Sequence, residues 1–361
     1  MLRISLDSIT PNQVSAWRDL AAEAIEPNVF LEADFVLAAA RCFPDAKVSL
    51  LVDEADGRWN GCLPVNERRL LSRPVMASGW KHLYSFLGTP LVRRGREDEF
   101  ARALVGAIEK RQTGLLLAVR NFAEGPVLAA VRRAQQEAGG MRTVRALSEQ
   151  RAALYVDGGT GEAIGMGKKR RKTLERRRRR LAEQLGEADV KGRQRRNDAA
   201  TIEEFLRLEA ASWKGEVGTA MACDERHAEF FRTVCAHLGE QGRLAIYSLE
   251  SASRVAAMTC DFTAGGVRFH FKSAFDEELS ANSPGILLQV DNLIATKEAG
   301  SCNLYDSCAD PTNETLNAVW PDRVTVWSLV FARDDLLGRL AGRALKARGQ
   351  LRRRKQDLSA A

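Results

Sequence analysis

The side chains best suited to chemistry lie between Val267 and Asp291. Lys272 and Asp276 flank a polar turn, His270 stands two positions before Lys272, and Ser283, Pro284 and Gly285 open a downstream helix. A lysine in such a place can stabilise negative charge developing on a carbonyl oxygen or a phosphate, and Asp276 can hold it or serve as a base. The plain alternative is an ion pair at a strand end. In a regular strand His270 shares the face of Lys272 and opposes Phe271, so it is expected to reach the same cleft. Proline fits a first helical turn because its missing N–H would have no partner there, and Ser283 is a suitable N-cap. Gly285 lets a ligand approach the backbone, where free amides and the helix dipole favour an anion. An ordinary capped helix packed on a sheet is the competing reading.

Those residues need a strand ending near Ser273, a polar connection, and a helix carrying Ile286, Leu287, Val290, Leu293 and Ile294 at helical spacing. A second pair, Trp213 and Lys214, follows a helix with apolar Ile202, Phe205, Leu206 and Leu208 and precedes a loop beginning at Gly215, a position suited to gripping an acceptor. Packing is the other use of a tryptophan there.

The chain of 361 residues has room for two domains. It carries a net charge of +7, concentrated in two segments: ten basic side chains against Glu175 between Lys168 and Arg180, and a basic stretch from Arg339 to Lys355. The first reads as a helix on a narrow stripe of Leu174, Leu181 and Leu185, stopped by Gly186, after a joint made by glycines 158, 159, 161, 165 and 167. Such a run is a solvated face or a contact for RNA or an anionic membrane surface. Seven scattered cysteines without a CxxC pair and four isolated histidines argue against a disulfide framework and against metal chemistry. No window approaches the ~20 apolar residues of a membrane span, and the first residues lack a signal-peptide core, so the expected location is cytoplasmic.

Taken in order, the first half reads as strand, two helices, two or three strands, helix, strand, helix and an extended region from Arg142 to Val156. The second half repeats that order, with strands around Asp189, Leu244, Val255 and Val267, the Pro284 helix and a strand ending at Asp306. The boundaries expected are 1–157, a joint and basic helix over 158–187, 188–335, and a basic tail over 336–361.

This order resembles the GNAT acyltransferase fold, and two copies in one chain resemble the tandem arrangement of FemAB-type peptidyltransferases. The second half is similar to the CelD/BcsL-type acetyltransferase domain of bacterial polysaccharide gene neighbourhoods, through Ser212 to Gly215, Phe271 to Asp276, Ser283 to Gly285 and the basic helix ending at Leu185 and Gly186. Phe86 to Pro90 carry the likeness in the first half. The resemblance implies an α/β chain of two GNAT-like domains with mixed, mostly antiparallel sheets flanked by helices. It further implies transfer of an acyl group, most simply acetyl from acetyl-CoA, to an amine or hydroxyl of a sugar, a polysaccharide precursor or an amino-acid-like acceptor. Phe271 and Lys272 would line the acyl arm, the amides near Ser283, Pro284, Gly285 and Ile286 would bind the diphosphate, and Tyr305, Asp306, Asp310 and Trp320 would border the acceptor beside Trp213 and Lys214. The superfamily's loop is typically (Arg/Gln)xxGxGx, whereas this one offers one glycine and a proline. FemAB-type relatives take the acyl group from aminoacyl-tRNA, which the basic helix would then bind. A non-enzymatic module in polysaccharide export is the third reading. The first half, without a counterpart of Ser283 to Gly285, is expected to be a scaffold.

Overall fold

A computed structural model describes residues 1–70, 73–156 and 166–345. The glycines at 158, 159, 161 and 165, and the basic tail beyond residue 345, lie outside the described residues.

The elements follow in the order β1 (Leu2–Ser5), α1 (Pro11–Ala22), α2 (Ala33–Cys42), β2 (Val48–Ala55), β3 (Arg58–Leu70), β4 (Arg73–Gly79), β5 (Leu91–Val92), α3 (Glu97–Glu109), β6 (Leu116–Ala123), α4 (Pro126–Ala138) and β7 (Met141–Tyr155). The second half runs α5 (Lys168–Leu185), β8 (Gly192–Gln194), α6 (Ala199–Ala210), α7 (Trp213–Glu216), α8 (Glu225–Glu240), β9 (Leu244–Glu250), β10 (Val255–Ala264), β11 (Val267–Phe275), α9 (Pro284–Ala299), β12 (Leu304–Asp306), α10 (Glu314–Asn317) and β13 (Asp322–Arg333). Local chemistry sets many of these bounds. At α1, Thr10 accepts from the Gln13 amide while the Gln13 side chain accepts from the Thr10 amide, a reciprocal cap ahead of Pro11 at the first helical position. Gly186 ends α5 in the left-handed conformation at φ 70°. Three strands escape the sequence pattern, the two-residue β5 among them. β4 has Pro74, Ser78 and Gly79 in place of an apolar alternation, and β13 follows the last strand the pattern predicts.

The chain divides into two compact units that are not consecutive blocks: Met1–Val36, Phe43–Glu149 and Thr325–Ala361 form one, Leu37–Cys42 and Gln150–Val324 the other. In the first unit the strand order is β1-β2-β3-β4-β6-β13, with β5 beside β3. Its neighbours are antiparallel except β4 and β6, which run parallel with Met76 opposite Leu116. The second unit has the order β8-β9-β10-β11-β12 and then the end of β7, with β11 and β12 its parallel pair, Val267 opposite Leu304. Each unit thus places one parallel pair at the same point of an otherwise antiparallel sheet. In the second unit α9 lies against β9, β10 and β11, and α6 and α8 pack with them through other side chains.

Candidate active site

The site is built around an irregularity in β11. Lys272 pairs with Cys260 and His270 with Asp261, so Phe271 is an extra residue, a β-bulge. A bulge breaks the alternation of side chains and re-aims those beyond it. Phe271 consequently turns into the aromatic core, stacked on Phe231 of α8 with centroids 6.1 Å apart and 4.6 Å from Phe262. Lys272 reaches Glu209 of α6, with Nζ 2.8 Å from Oε1. His270 goes to the α9 side instead, with its Nε2 2.9 Å from Gln289 Nε2 of α9 and its Nδ1 2.8 Å from Asp261 Oδ1 of β10. The expectation that His270 and Lys272 share a face is corrected by the bulge, and the Phe271 ring is packing rather than lining.

Glu209 gathers the lysines. Its carboxylate is fully buried. Oε1 accepts from Lys272 and, at 3.4 Å, from Lys214, while Oε2 accepts from the Met221 amide at 2.9 Å. Lys214 Nζ also donates to the Ser273 carbonyl at 2.8 Å, tying the turn after α6 to β11. Burial is the largest influence on the Lys214 ammonium and, with Lys272 nearby, lowers its pKa despite the attraction of Glu209. The preceding turn is tightly specified. The Ser212 hydroxyl donates to the Glu209 carbonyl at 2.8 Å and accepts from the Lys214 amide at 3.3 Å. A Cβ on Gly215 would stand 1.8 Å from the Ala210 carbonyl oxygen, so no larger residue fits. Trp213 leaves its indole half exposed beside this turn.

Sequence reasoning missed Glu209, although it had a signal. Glu209 follows Ile202, Phe205 and Leu206 on the buried stripe of α6, an acid where the pattern calls for an apolar side chain. The partner expected for Lys272 was Asp276. Its carboxylate is instead held by Arg254 Nε at 2.6 Å and accepts from the Glu278 amide at 3.0 Å, so the proposed pair gives way to Lys272–Glu209.

At the start of α9, Ser283 adopts φ 51° and makes no side-chain cap. Its hydroxyl accepts from Arg177 of α5 at 2.8 Å, and its carbonyl takes the amides of Ile286 and Leu287. Pro284 is buried, and the Gly285 amide has no hydrogen-bond partner among the described residues. A Cβ at Gly285 would meet Phe275 only at 3.5 Å, an ordinary contact, so packing does not demand glycine there. Arg177 places a guanidinium at the positive end of a helix, an unfavourable arrangement that an anion between them would reverse. Next along α5, Arg178 grips Asp291 with two bonds of 2.6 and 3.0 Å, while Leu174, Leu181 and Ala182 enter the core.

The acids expected near the acceptor divide. Asp306 is buried and paired with Arg151, with Nη2 2.5 Å from Oδ2. Asp310 lies at the surface and organises a turn through the Thr312 amide and hydroxyl. Tyr305 donates to Asp261 at 2.9 Å within a buried network in which Arg268 also pairs with Asp261 and reaches Thr296. Burial pushes the Asp261 carboxyl up, but Arg268 and His270 outweigh it and hold the group below the usual carboxylate range. That network cements β10, β11, β12 and α9 rather than facing the Glu209 cluster.

Residues 168–313 match the family model of an acetyltransferase (GNAT) domain. The structure is similar to FemX, with a TM-score of 0.54 and 11% identity over 92% of this chain and 97% of that one. It is similar to a conserved protein of unknown function from Bacteroides thetaiotaomicron VPI-5482, at 0.56 and 12% over 90% and 98%. A third likeness is to a protein from Agrobacterium fabrum described as the C-terminal domain of a lysylphosphatidylglycerol synthetase, at 0.54 and 11% over 92% and 94%. At these identities the likeness is one of fold. No curated protein matches the chain in sequence. The chain therefore has an α/β architecture of mixed, mostly antiparallel sheets flanked by helices, with residues 168–313 similar to a GNAT acetyltransferase domain and a fold similar to that of FemX.

Proposed function

We propose that the chain is an acyltransferase that moves an acyl group, most simply acetyl from acetyl-CoA, to an amine or hydroxyl of a sugar, a polysaccharide precursor or an amino-acid-like acceptor. The observation that carries this reading is the bulge at Phe271, which brings Lys272 to Lys214 on one buried carboxylate, on the strand that leads to the α9 terminus. Beyond Phe269, β11 has no backbone partner on its β12 side among the described residues, and apart from the Ser273 carbonyl, which Lys214 holds, that edge would accept an extended ligand.

The residues present suit an anionic acyl carrier. The Gly285 amide, the α9 terminus and Arg177 would hold a diphosphate. Acyl-CoA would supply an activated carbonyl. Lys272, fixed by Glu209, would stabilise negative charge on that carbonyl oxygen, and Lys214, its pKa lowered by burial, would take the proton that the acceptor loses and pass it to the thiolate released as the carbon–sulfur bond breaks. Trp213 would hold the acceptor; Asp306 and Asp310 contribute by shaping the segment after β12. Thermal shift with acetyl-CoA tests the donor, and the expected result is a stabilisation that grows with ligand concentration. No shift at saturating ligand would remove acetyl-CoA from the proposal.

A second reading, aminoacyl-tRNA-dependent transfer of the FemAB type, is favoured by α5, whose Lys168, Lys169, Lys172, Arg176, Arg179 and Arg180 are exposed. RNA binding that falls steeply with salt would support it.

A further inference from the structure

The last described helix, over residues 336–345, belongs to the first unit and has two unlike faces. Ala341 and Leu345 pack against Leu116, Val144, Val330 and Ala332. Gly342 comes so close that a Cβ there would lie 2.8 Å from Val144 Cγ1. The outward face carries Leu336, Leu337 and Leu340, which are 72%, 52% and 49% exposed. Arg339 is paired with Asp334 at 3.0 Å, and Arg343 is exposed with no ion pair among the described residues. The sequence continues with six basic residues, Lys346, Arg348, Arg352, Arg353, Arg354 and Lys355, against a single acid, Asp357.

We propose that this helix is an interfacial anchor for an anionic lipid bilayer, its three leucines entering the boundary of the acyl chains while the arginines meet the headgroups. Exposed leucines in a row cost solubility unless they are covered part of the time. The chain's own continuation suits that purpose poorly, since residues 346–361 offer only Leu351 and Leu358 as large apolar side chains among the basic ones. A second copy would bring two arginine-rich helices and two basic tails together, which like-charge repulsion opposes. A fluid anionic surface satisfies both halves of the pattern and needs no matching pocket. No described helix is long and apolar enough to cross a membrane, so the engagement is in the interface plane. This anchor is independent of the acyl-transfer reading.

The test is co-sedimentation of the whole chain with vesicles of phosphatidylcholine mixed with phosphatidylglycerol, against vesicles of phosphatidylcholine alone. Binding is expected to the mixed vesicles and to fall as salt is raised. The combined variant Leu336→Ser, Leu337→Ser, Leu340→Ser is expected to weaken it by roughly a hundredfold, as loss of apolar burial by three half-exposed leucines would. Arg343→Gln, a surface change that spares the fold, is expected to weaken it about fivefold. Arg179→Gln with Arg180→Gln on α5 should leave it in place. No binding to the mixed vesicles overturns the proposal. So does binding that ignores the leucine and Arg343 variants and follows the α5 pair. A dimer in sedimentation velocity without lipid, dissolved by the leucine variant, would give those leucines to a second copy.

Discussion

The two units hold the same parallel strand pair and treat the opening beside it in opposite ways. In the first, β4 and β6 pair through Met76 to Ser78, and the chain then lays residues 80–90 along β6. The Gly88 amide donates to the Asn121 carbonyl at 2.9 Å, Asn121 Nδ2 donates to the Phe86 carbonyl at 3.0 Å, and the Ala123 amide donates to the Thr89 hydroxyl at 2.8 Å. His82 lies in this plug against Trp80 and Phe43, and burial holds its pKa down to about 3, so it stays uncharged at neutral pH. In the second unit β11 and β12 pair through Val267 to Phe269, no segment among the described residues pairs its backbone with β11 beyond them on that side, and the bulge instead gathers Lys272, Lys214 and Glu209. The same topology carries a hydrogen-bonded segment beside the pair in one unit and a buried lysine–carboxylate cluster in the other. What differs is a stretch of about ten residues after the fourth strand of each unit.

The comparison can be broken most sharply at Glu209. Glu209→Ala leaves two lysines and the Met221 amide without their shared buried carboxylate, and a loss of about 3 to 5 kcal/mol is expected in denaturant unfolding. A midpoint equal to that of the parent would show that Glu209 anchors nothing. Next in size is Gly88→Ala. A Cβ there would sit 2.1 Å from the Arg120 carbonyl, which displaces the plug at an expected cost of about 1 to 3 kcal/mol. Gly285→Ala, in the first turn of α9 in the other unit, should leave the thermal midpoint nearly unchanged. Equal effects at the two glycines would erase the distinction between a plug and a binding edge.

A pH measurement sharpens the contrast further. The Lys214 pKa in the fold is lowered from the ordinary lysine value. Between the two values the unfolded chain binds more protons, so stability should rise with pH just below the ordinary value, and activity should rise over the same range as Lys214 becomes neutral. Lys214→Met should flatten both profiles, and persistence of the alkaline rise in that variant would assign it elsewhere. The smallest effect is expected at Arg177→Gln, within about 1 kcal/mol of the parent in stability because the cation stands at a positive helix end. Binding of acetyl-CoA should nonetheless weaken several-fold, and unchanged affinity would detach Arg177 from the diphosphate.

Much of this was legible from local pattern. The repeated order of elements, the proline-led start of α9 and the Ser212 to Gly215 turn depend on neighbours a few residues away, so helical and strand periodicity, capping and glycine geometry reveal them. The segment of residues 80–90 laid along β6 was not foreseen. The partner of Lys272 lay beyond reach. Asp276 is close in sequence, yet Arg254 claims it, whereas Glu209 arrives from another helix on a stripe that otherwise reads as apolar.

By itself, then, the sequence determined the helices and most of the strands, β4, β5 and β13 excepted, because those choices follow from interactions within a turn or two of chain. Only the tertiary structure decided which face each of His270, Phe271 and Lys272 occupies, because a single extra residue in β11 is defined by its pairing with β10 and shifts the following side chain to the other side of the sheet. It also decided that β13 completes the sheet of the first unit and the end of β7 that of the second, a matter of long-range pairing that no local periodicity records.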